Sequence, residues 1–327
     1  MKFTTCILIQ LQLVVTSAAC RKEIRDLAQD GGLYSFIKAF QELSIDGTLK
    51  RLVEIHGEYW DYAHFNPKFL FWHRAFIHDF EQELQKKNVS YLPYWDWTID
   101  SQNPFDSMLF TNNYFGSVNE LHQVNTSLFG FFKTPIGDNE YLVRDYNTSN
   151  SNVFYHKTIL QNLLEKDSLF SKWSVDIEYG AHAIVHSLIG GKTGDMSKWF
   201  APNDPLFWLH HSFIDKLYFE YQAKYGNAFD GNAYNVFNTS DLHVLKPWNK
   251  SIREIGTIEL CFIETSEIVQ LLNTETSIKL PSFPTNWGSN NSIALQVQQE
   301  LKEFYFETSS SFKHKIFFTL LIFFIIV

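Results

Sequence analysis

Two groups of histidines constrain this chain more than any other feature. The first is His56, His64 and His73; the second is His182, His186 and the adjacent pair His210-His211. On a helix, the nine residues from His64 to His73 turn through about 180°, so the two cannot share one face. Pro67 lies between them and makes a continuous helix unworkable. The spacing therefore predicts His56 at one helix end, His73 inside the next helix, and His64 on the connector folding back. His182 and His186 are four residues apart and differ by only about 40° of rotation, so both can reach one ion. His210 and His211 diverge by about 100°, so only one of them should join that ion, and geometry leaves open which. Asp215, one turn beyond His211, is a candidate to orient a neighbouring imidazole.

Neither group contains a carboxylate or a cysteine. The segment between His182 and His186 is Ala183-Ile184-Val185, without the glutamate of a zinc-protease helix. All-imidazole sites suit copper or zinc, and copper has the higher intrinsic affinity. Two copper ions can also deliver the two electrons that reduce dioxygen to the peroxide level, which zinc cannot do. The remaining histidines, His78, His122, His156, His243 and His314, carry no such spacing and are read as ordinary core or surface residues.

Helical spacing is visible over Arg21–Leu43 (broken at Gly31-Gly32), Leu49–Glu58, Phe69–Lys87, Ser151–Leu164, Ile177–His186 and Pro205–Tyr225. Residues 99–150, rich in Asn, Ser, Asp and Gly, read as long loops. The 31 phenylalanines and 17% aromatic content suit a dry, tightly packed interior. A net charge of −9 with no long basic run argues against nucleic acid as a partner. With Cys6 in the N-terminal apolar segment, Cys20 and Cys261 can form one bridge at most.

The ends suggest an extracellular route. Lys2, the apolar run Ile7 to Val15 and small residues at Ser17 and Ala19 read as a signal peptide over residues 1–19, cleaved before Cys20. Glycosylation sequons fall at Asn88, Asn125, Asn147, Asn238, Asn249 and Asn290. Ser309, Ser310 and Ser311 precede a short spacer and an apolar tail, Ile316 to Val327. That tail is shorter than the roughly 17 residues that span a bilayer and resembles a glycolipid-anchor signal over 309–327. Residues 20–228 form the expected dicopper domain, and 229–308, enriched in Thr, Asn, Ile and Val, a small β-rich extension.

Three blocks resemble the tyrosinase and catechol oxidase family of type-3 copper proteins. They are Ile55-His56-Gly57 with His64 and Phe69-Leu70-Phe71-Trp72-His73-Arg74; Pro93-Tyr94-Trp95-Asp96-Trp97-Thr98; and His182 to Gly191 with Asp204-Pro205-Leu206-Phe207-Trp208-Leu209-His210-His211. The similarity runs from about Arg21 to Tyr225. It implies a mainly α fold, a four-helix bundle wrapped by loops and holding two copper ions. By that resemblance His56, His64 and His73 bind the first copper, and His182, His186 and His211 the second, with His210 a structural neighbour. Phe207 and Trp208 would pack against the ligand helices, and Trp95 and Trp97 would be core aromatics.

Two departures bear on activity. Some relatives carry a cysteine two residues before the second histidine, crosslinked to that ligand; here Tyr62 stands there, so no crosslink can form. Many tyrosinases have Asn after the first histidine of the second site, where it helps activate a water; here it is Ala183. Glu178 is placed for the water-holding part seen in some relatives. The resemblance thus implies oxidation of o-diphenols to o-quinones by dioxygen, with weak hydroxylation of monophenols. A hemocyanin-type reversible oxygen carrier is the alternative.

Overall fold

The structure, a computed structural model, describes residues 20–146, 148, 153–226, 244–266 and the isolated positions 279, 281, 296 and 299. Gly31-Gly32 interrupts the first helical stretch as its spacing predicts. α1 (Ile24–Gln29) ends before Gly31, whose φ of +78° is a left-handed turn that glycine adopts without strain, and α2 (Leu33–Ile45) follows. A second turn at Asp46-Gly47 leads to α3 (Thr48–Glu58), where the Asp46 carboxylate accepts the Thr48 N–H at 3.0 Å. After the single turn α4 (Trp60–Ala63) the chain extends at His64, reverses through Phe65 at φ +58°, and enters α5 (Phe69–Lys86).

Residues 99–146 form the expected loops, with short 3-10 turns and isolated bridges in place of regular strands. Arg144 ties them down: its guanidinium donates to both carboxylate oxygens of Asp204 (2.7 and 3.0 Å) and to the carbonyls of Phe115 and Gly116. The fourth predicted helix is shorter than its spacing suggests. α6 begins at Lys157, where His156 caps it by accepting the Thr158 N–H, and runs to Lys166. α7 (Phe170–Asp176) has no counterpart in the sequence reading, because seven residues are too few to display a period. A π-helical turn, Ile177–His182, links α7 to α8 (Ala183–Gly190). α9 (Pro205–Tyr225) starts with Asp204 accepting the Leu206 N–H and with Pro205 in its first turn, where a missing N–H costs nothing.

The histidine-bearing bundle consists of α3, α5, the π turn with α8, and α9, and its core is aromatic. Phe80 stacks on Trp208 at 3.9 Å between ring centres, and Phe76 packs beside it at 4.9 Å. Trp95 and Trp97 are fully buried, as expected of core aromatics.

Residues 244–266 return to this core. The Trp72 indole donates to Lys246 O at 2.8 Å, and Cys20 and Cys261 form the disulfide. Arg21 and Phe262 pair as an isolated bridge, and α10 (Ile252–Gly256) carries a capping box from Ser251 and Glu254. The β-rich character expected of 229–308 lies largely outside the described residues; within 244–266 there are isolated bridges and one short helix. The signal peptide and the apolar tail also lie outside them. No helix among the described residues is long and apolar enough to cross a membrane.

Candidate metal centre

The sequence separates the two groups of histidines by more than a hundred residues, and the fold sets them face to face. His56 sits in the last turn of α3, His64 on the connector and His73 in the first turns of α5. Their rings lie 5.2 Å (His56–His64), 4.7 Å (His64–His73) and 5.9 Å (His56–His73) apart. Opposite them, His182 is 4.6 Å from His186 and 5.0 Å from His211, and His186 is 5.4 Å from His211. The groups meet where His73 stacks on His211 at 4.4 Å and 11°. His210 belongs to the second group by proximity: one ring nitrogen from each of His182, His186, His210 and His211 lies within 4.8 Å of the others. His78, His122 and His156 belong to neither group, and His243 and His314 lie outside the described residues.

Backbone carbonyls orient these rings. His56 Nδ1 meets Trp199 O at 2.5 Å, His64 Nδ1 Trp60 O at 2.9 Å, and His73 Nδ1 Phe69 O at 2.9 Å. His182 Nδ1 meets Glu178 O at 3.1 Å and His186 Nδ1 Met196 O at 2.6 Å. A carbonyl only accepts, so each Nδ1 carries the proton and each Nε2 presents its lone pair. The π turn serves this arrangement. The Ala183 N–H reaches back five residues to Glu178 O, the same carbonyl that holds the His182 ring. No sequence signal marks these carbonyl partners, because any residue type supplies a carbonyl. Gly57 has a signal in hindsight: a Cβ there would come within 2.4 Å of the Trp199 ring, whose residue holds His56.

The donor set fits copper. Burial, reinforced for His56 by the neighbouring His64, keeps these imidazoles neutral. His64 is pushed down to about 3 and His186 to about 4, in each case chiefly by burial. The Nε2 atoms of His56 and His73 are buried and meet no hydrogen-bond partner. Each such orphan costs on the order of 1–3 kcal/mol, which a bound cation would offset. His186 Nε2 lies 3.3 Å from His211 Nε2, a spacing that needs a proton or a cation between two lone pairs.

Around the rings, Trp60 packs on His64 at 4.2 Å, and Phe207 on His211 at 4.2 Å and His56 at 5.1 Å. Tyr62, at the place of the crosslinking cysteine, donates to Val244 O. Glu178 is buried; its Oε1 accepts the Phe65 N–H at 2.5 Å, and burial pushes its pKa well above the usual carboxylate range. Ala183 is fully buried beside His182. Asp215 does not orient an imidazole. It accepts from Arg21 Nη1 at 2.9 Å and Arg74 Nε at 2.5 Å, because its face of α9 turns toward the segment preceding α1 and toward α5.

Paired all-imidazole sites inside a helical bundle define a dicopper protein, and the comparisons agree. Residues 46–224 match the common central domain of tyrosinase, and the chain belongs to the tyrosinase family. That family uses two copper ions, and the two groups of histidines are able to bind them. Among curated relatives, the tyrosinase-like protein tyr-3 of Caenorhabditis elegans is 31% identical over 67% of this chain and 33% of its own length. The tyrosinase of Streptomyces antibioticus is 28% identical over 65% of this chain and 87% of its own. Hemocyanin 1 of Megathura crenulata is 33% identical over 63% of this chain, which spans only 6% of that protein. Two solved structures share the fold. A polyphenol oxidase from Thermothelomyces thermophila has TM-score 0.54 and 20% identity over 69% of this chain and 74% of its own. A functional unit of octopus hemocyanin has TM-score 0.52 and 22% identity over 88% of this chain and 73% of its own.

Proposed function

We propose that this chain oxidises o-diphenols to o-quinones with dioxygen, holding one copper through His56, His64 and His73 and the other through His182, His186 and His211. The observation that carries the reading is the set of buried neutral imidazoles whose Nδ1 edges are spent on carbonyls and whose Nε2 edges converge. Bound there, the copper pair supplies the two-electron exchange between a catechol and dioxygen. The protein's own part is to hold the rings in one tautomer, to keep bulk water out with Phe69, Phe207 and Trp60, and to place the phenol's proton. One oxygen of Glu178 is engaged by Phe65 N–H, which leaves the other to hold a water. The Ala183 methyl gives that water no second anchor, since it neither donates nor accepts.

A catechol can deliver its more acidic proton without such help. A monophenol depends on a base, and a positioned base contributes about 10² to 10⁴ in rate. Catechol turnover by the copper-loaded protein should therefore dominate, with monophenol hydroxylation slow to start. Ala183→Asn should raise the monophenol-to-diphenol rate ratio at unchanged copper content. Paired assays with tyramine and its catechol measure both, and equal rates in the unmodified protein would refute the assignment. A reversible oxygen carrier is the second reading, favoured by the 33% identity to Hemocyanin 1 of Megathura crenulata over 63% of this chain. Binding of dioxygen without catechol turnover would select it.

We further propose that the protein lies outside the cell, a reading supported by the signal-like N-terminal segment and the glycosylation sequons. Asn88 and Asn249 are exposed and Asn125 is half-buried, while Asn147, Asn238 and Asn290 lie outside the described residues. Protein from a eukaryotic secretory host should lose mass at Asn88 and Asn249 on glycosidase treatment and begin near Cys20. A glycolipid-specific phospholipase should release it from membranes. An unglycosylated chain retaining Met1 would contradict this.

A further inference from the structure

His210 is the histidine that proximity cannot dismiss. Its ring lies 5.4 Å from His182 and 5.0 Å from His186, while His211 lies 5.0 and 5.4 Å from the same two rings. Distance alone gives both neighbours equal claim to the second ion. A fourth imidazole would also be harmful, because it would occupy the coordination position that dioxygen or substrate must enter.

What separates them is a contact on the far edge of the ring. Trp97 is fully buried, and its Nε1–H points at His210 Nδ1 at 3.1 Å. An indole nitrogen only donates, so His210 Nδ1 must accept, and in a neutral imidazole the proton then sits on Nε2. This is the reverse of His56, His64, His73, His182 and His186, whose Nδ1 atoms face carbonyls. A ring nitrogen that carries hydrogen has no lone pair for a metal. His210 Nε2 is buried and meets no hydrogen-bond acceptor, so nothing on that side favours the other tautomer.

We propose that Trp97 is a tautomer lock: by donating to His210 Nδ1 it withholds His210 from the second copper and leaves His211 as the third imidazole. Trp97 is thus a positioning residue that acts through His210, on the premise that these histidines bind copper. Shifting the proton to Nδ1 would bring two N–H groups together and strand a buried indole donor. That disfavours the ligating tautomer about ten- to a hundredfold. The lock also gives the second tryptophan of the Trp95-Asp96-Trp97 block a task beyond filling the core.

The test begins with metal-free full-length protein labelled with ¹⁵N-histidine, using long-range ¹H–¹⁵N correlations that read the tautomer of each ring. His210, identified by the signal lost in His210→Gln, should show the Nε2–H pattern, and the five carbonyl-bound histidines the Nδ1–H pattern. Trp97→Phe should move His210 toward Nδ1–H. Copper analysis supplies a second reading. His211→Ala should hold about one copper per chain, and adding Trp97→Phe should restore the content toward two as His210 takes the vacant place. An Nδ1–H pattern for His210 in the unmodified protein overturns the lock, as does equal copper in the single and double variants. The spectrum of the unmodified protein decides even if the double variant fails to fold. Absence of copper from the loaded, unmodified protein would instead overturn the ligand reading, and the tautomer spectra distinguish that failure from failure of the lock.

Discussion

His64→Ala is expected to lower copper from two ions per chain toward one and to reduce catechol oxidation more than any change outside the two groups of histidines. Removing an outer partner of a metal ligand typically costs about 10- to 100-fold, and removing the ligand itself should exceed that. His64 is the cleanest position for the experiment because it lies on the connector, with extended backbone at φ −118° and ψ 162°, and supports no helix. Its Nδ1 is held locally by Trp60 O, and its ring is sandwiched between Trp60 and the His73 edge. Alanine should therefore leave the helical content unchanged while opening the first site. Elemental analysis, far-ultraviolet circular dichroism and a catechol assay check the three parts separately. Half or more of the original rate in a folded variant would remove His64 from the proposed ligands.

The two groups of histidines that form the candidate metal centre were legible in the sequence because their clustering and spacing carry geometry. The four-residue step from His182 to His186 fixes a shared face, and Pro67 forces His64 off the helix of His73. The helices with long periodic faces were also readable, including the break at Gly31-Gly32 and the proline-started α9. What escaped were features that side-chain patterns do not encode. The carbonyls of Trp199 and Met196 hold two of the rings, yet any residue could supply them. The π turn at Ile177–His182 inserts itself into an otherwise ordinary apolar stretch. α7 is too short for periodicity, and the start of α6 follows its histidine cap. Asp215 shows the opposite failing, in which spacing was over-read. One turn from His211 is close in sequence, but side chains four apart sit on the same face only approximately, and buried arginines nearby compete for the carboxylate.

Those arginines set the second large effect. Asp215 lies between Arg21 and Arg74, and Glu81 holds the other side of Arg21 through both carboxylate oxygens, at 2.9 and 2.7 Å. Burial opposes the charge on Arg21, but Glu81 and Asp215 outweigh it and keep its pKa above the ordinary value. Arg74 is further held by Gln222 Oε1 at 2.6 Å and lies 4.1 Å above the Tyr218 ring. The four charged groups balance, with two cations against two anions, all nearly shielded from water. Asp215→Ala leaves two buried guanidinium groups against Glu81 alone. Breaking a buried pair in this way costs on the order of 3–5 kcal/mol, because the stranded charge keeps its desolvation penalty. At about 2–4 °C per kcal/mol for a domain of this size, the melting temperature should fall by roughly 6–20 °C. Arg74→Met in the same background should recover part of the loss by removing one stranded cation. Copper content at low temperature should stay near two, since Asp215 touches no imidazole. Thermal unfolding of the metal-free protein separates the two roles. If Asp215 acted through His211, its loss would lower copper binding and leave the melting temperature of the metal-free chain almost unchanged.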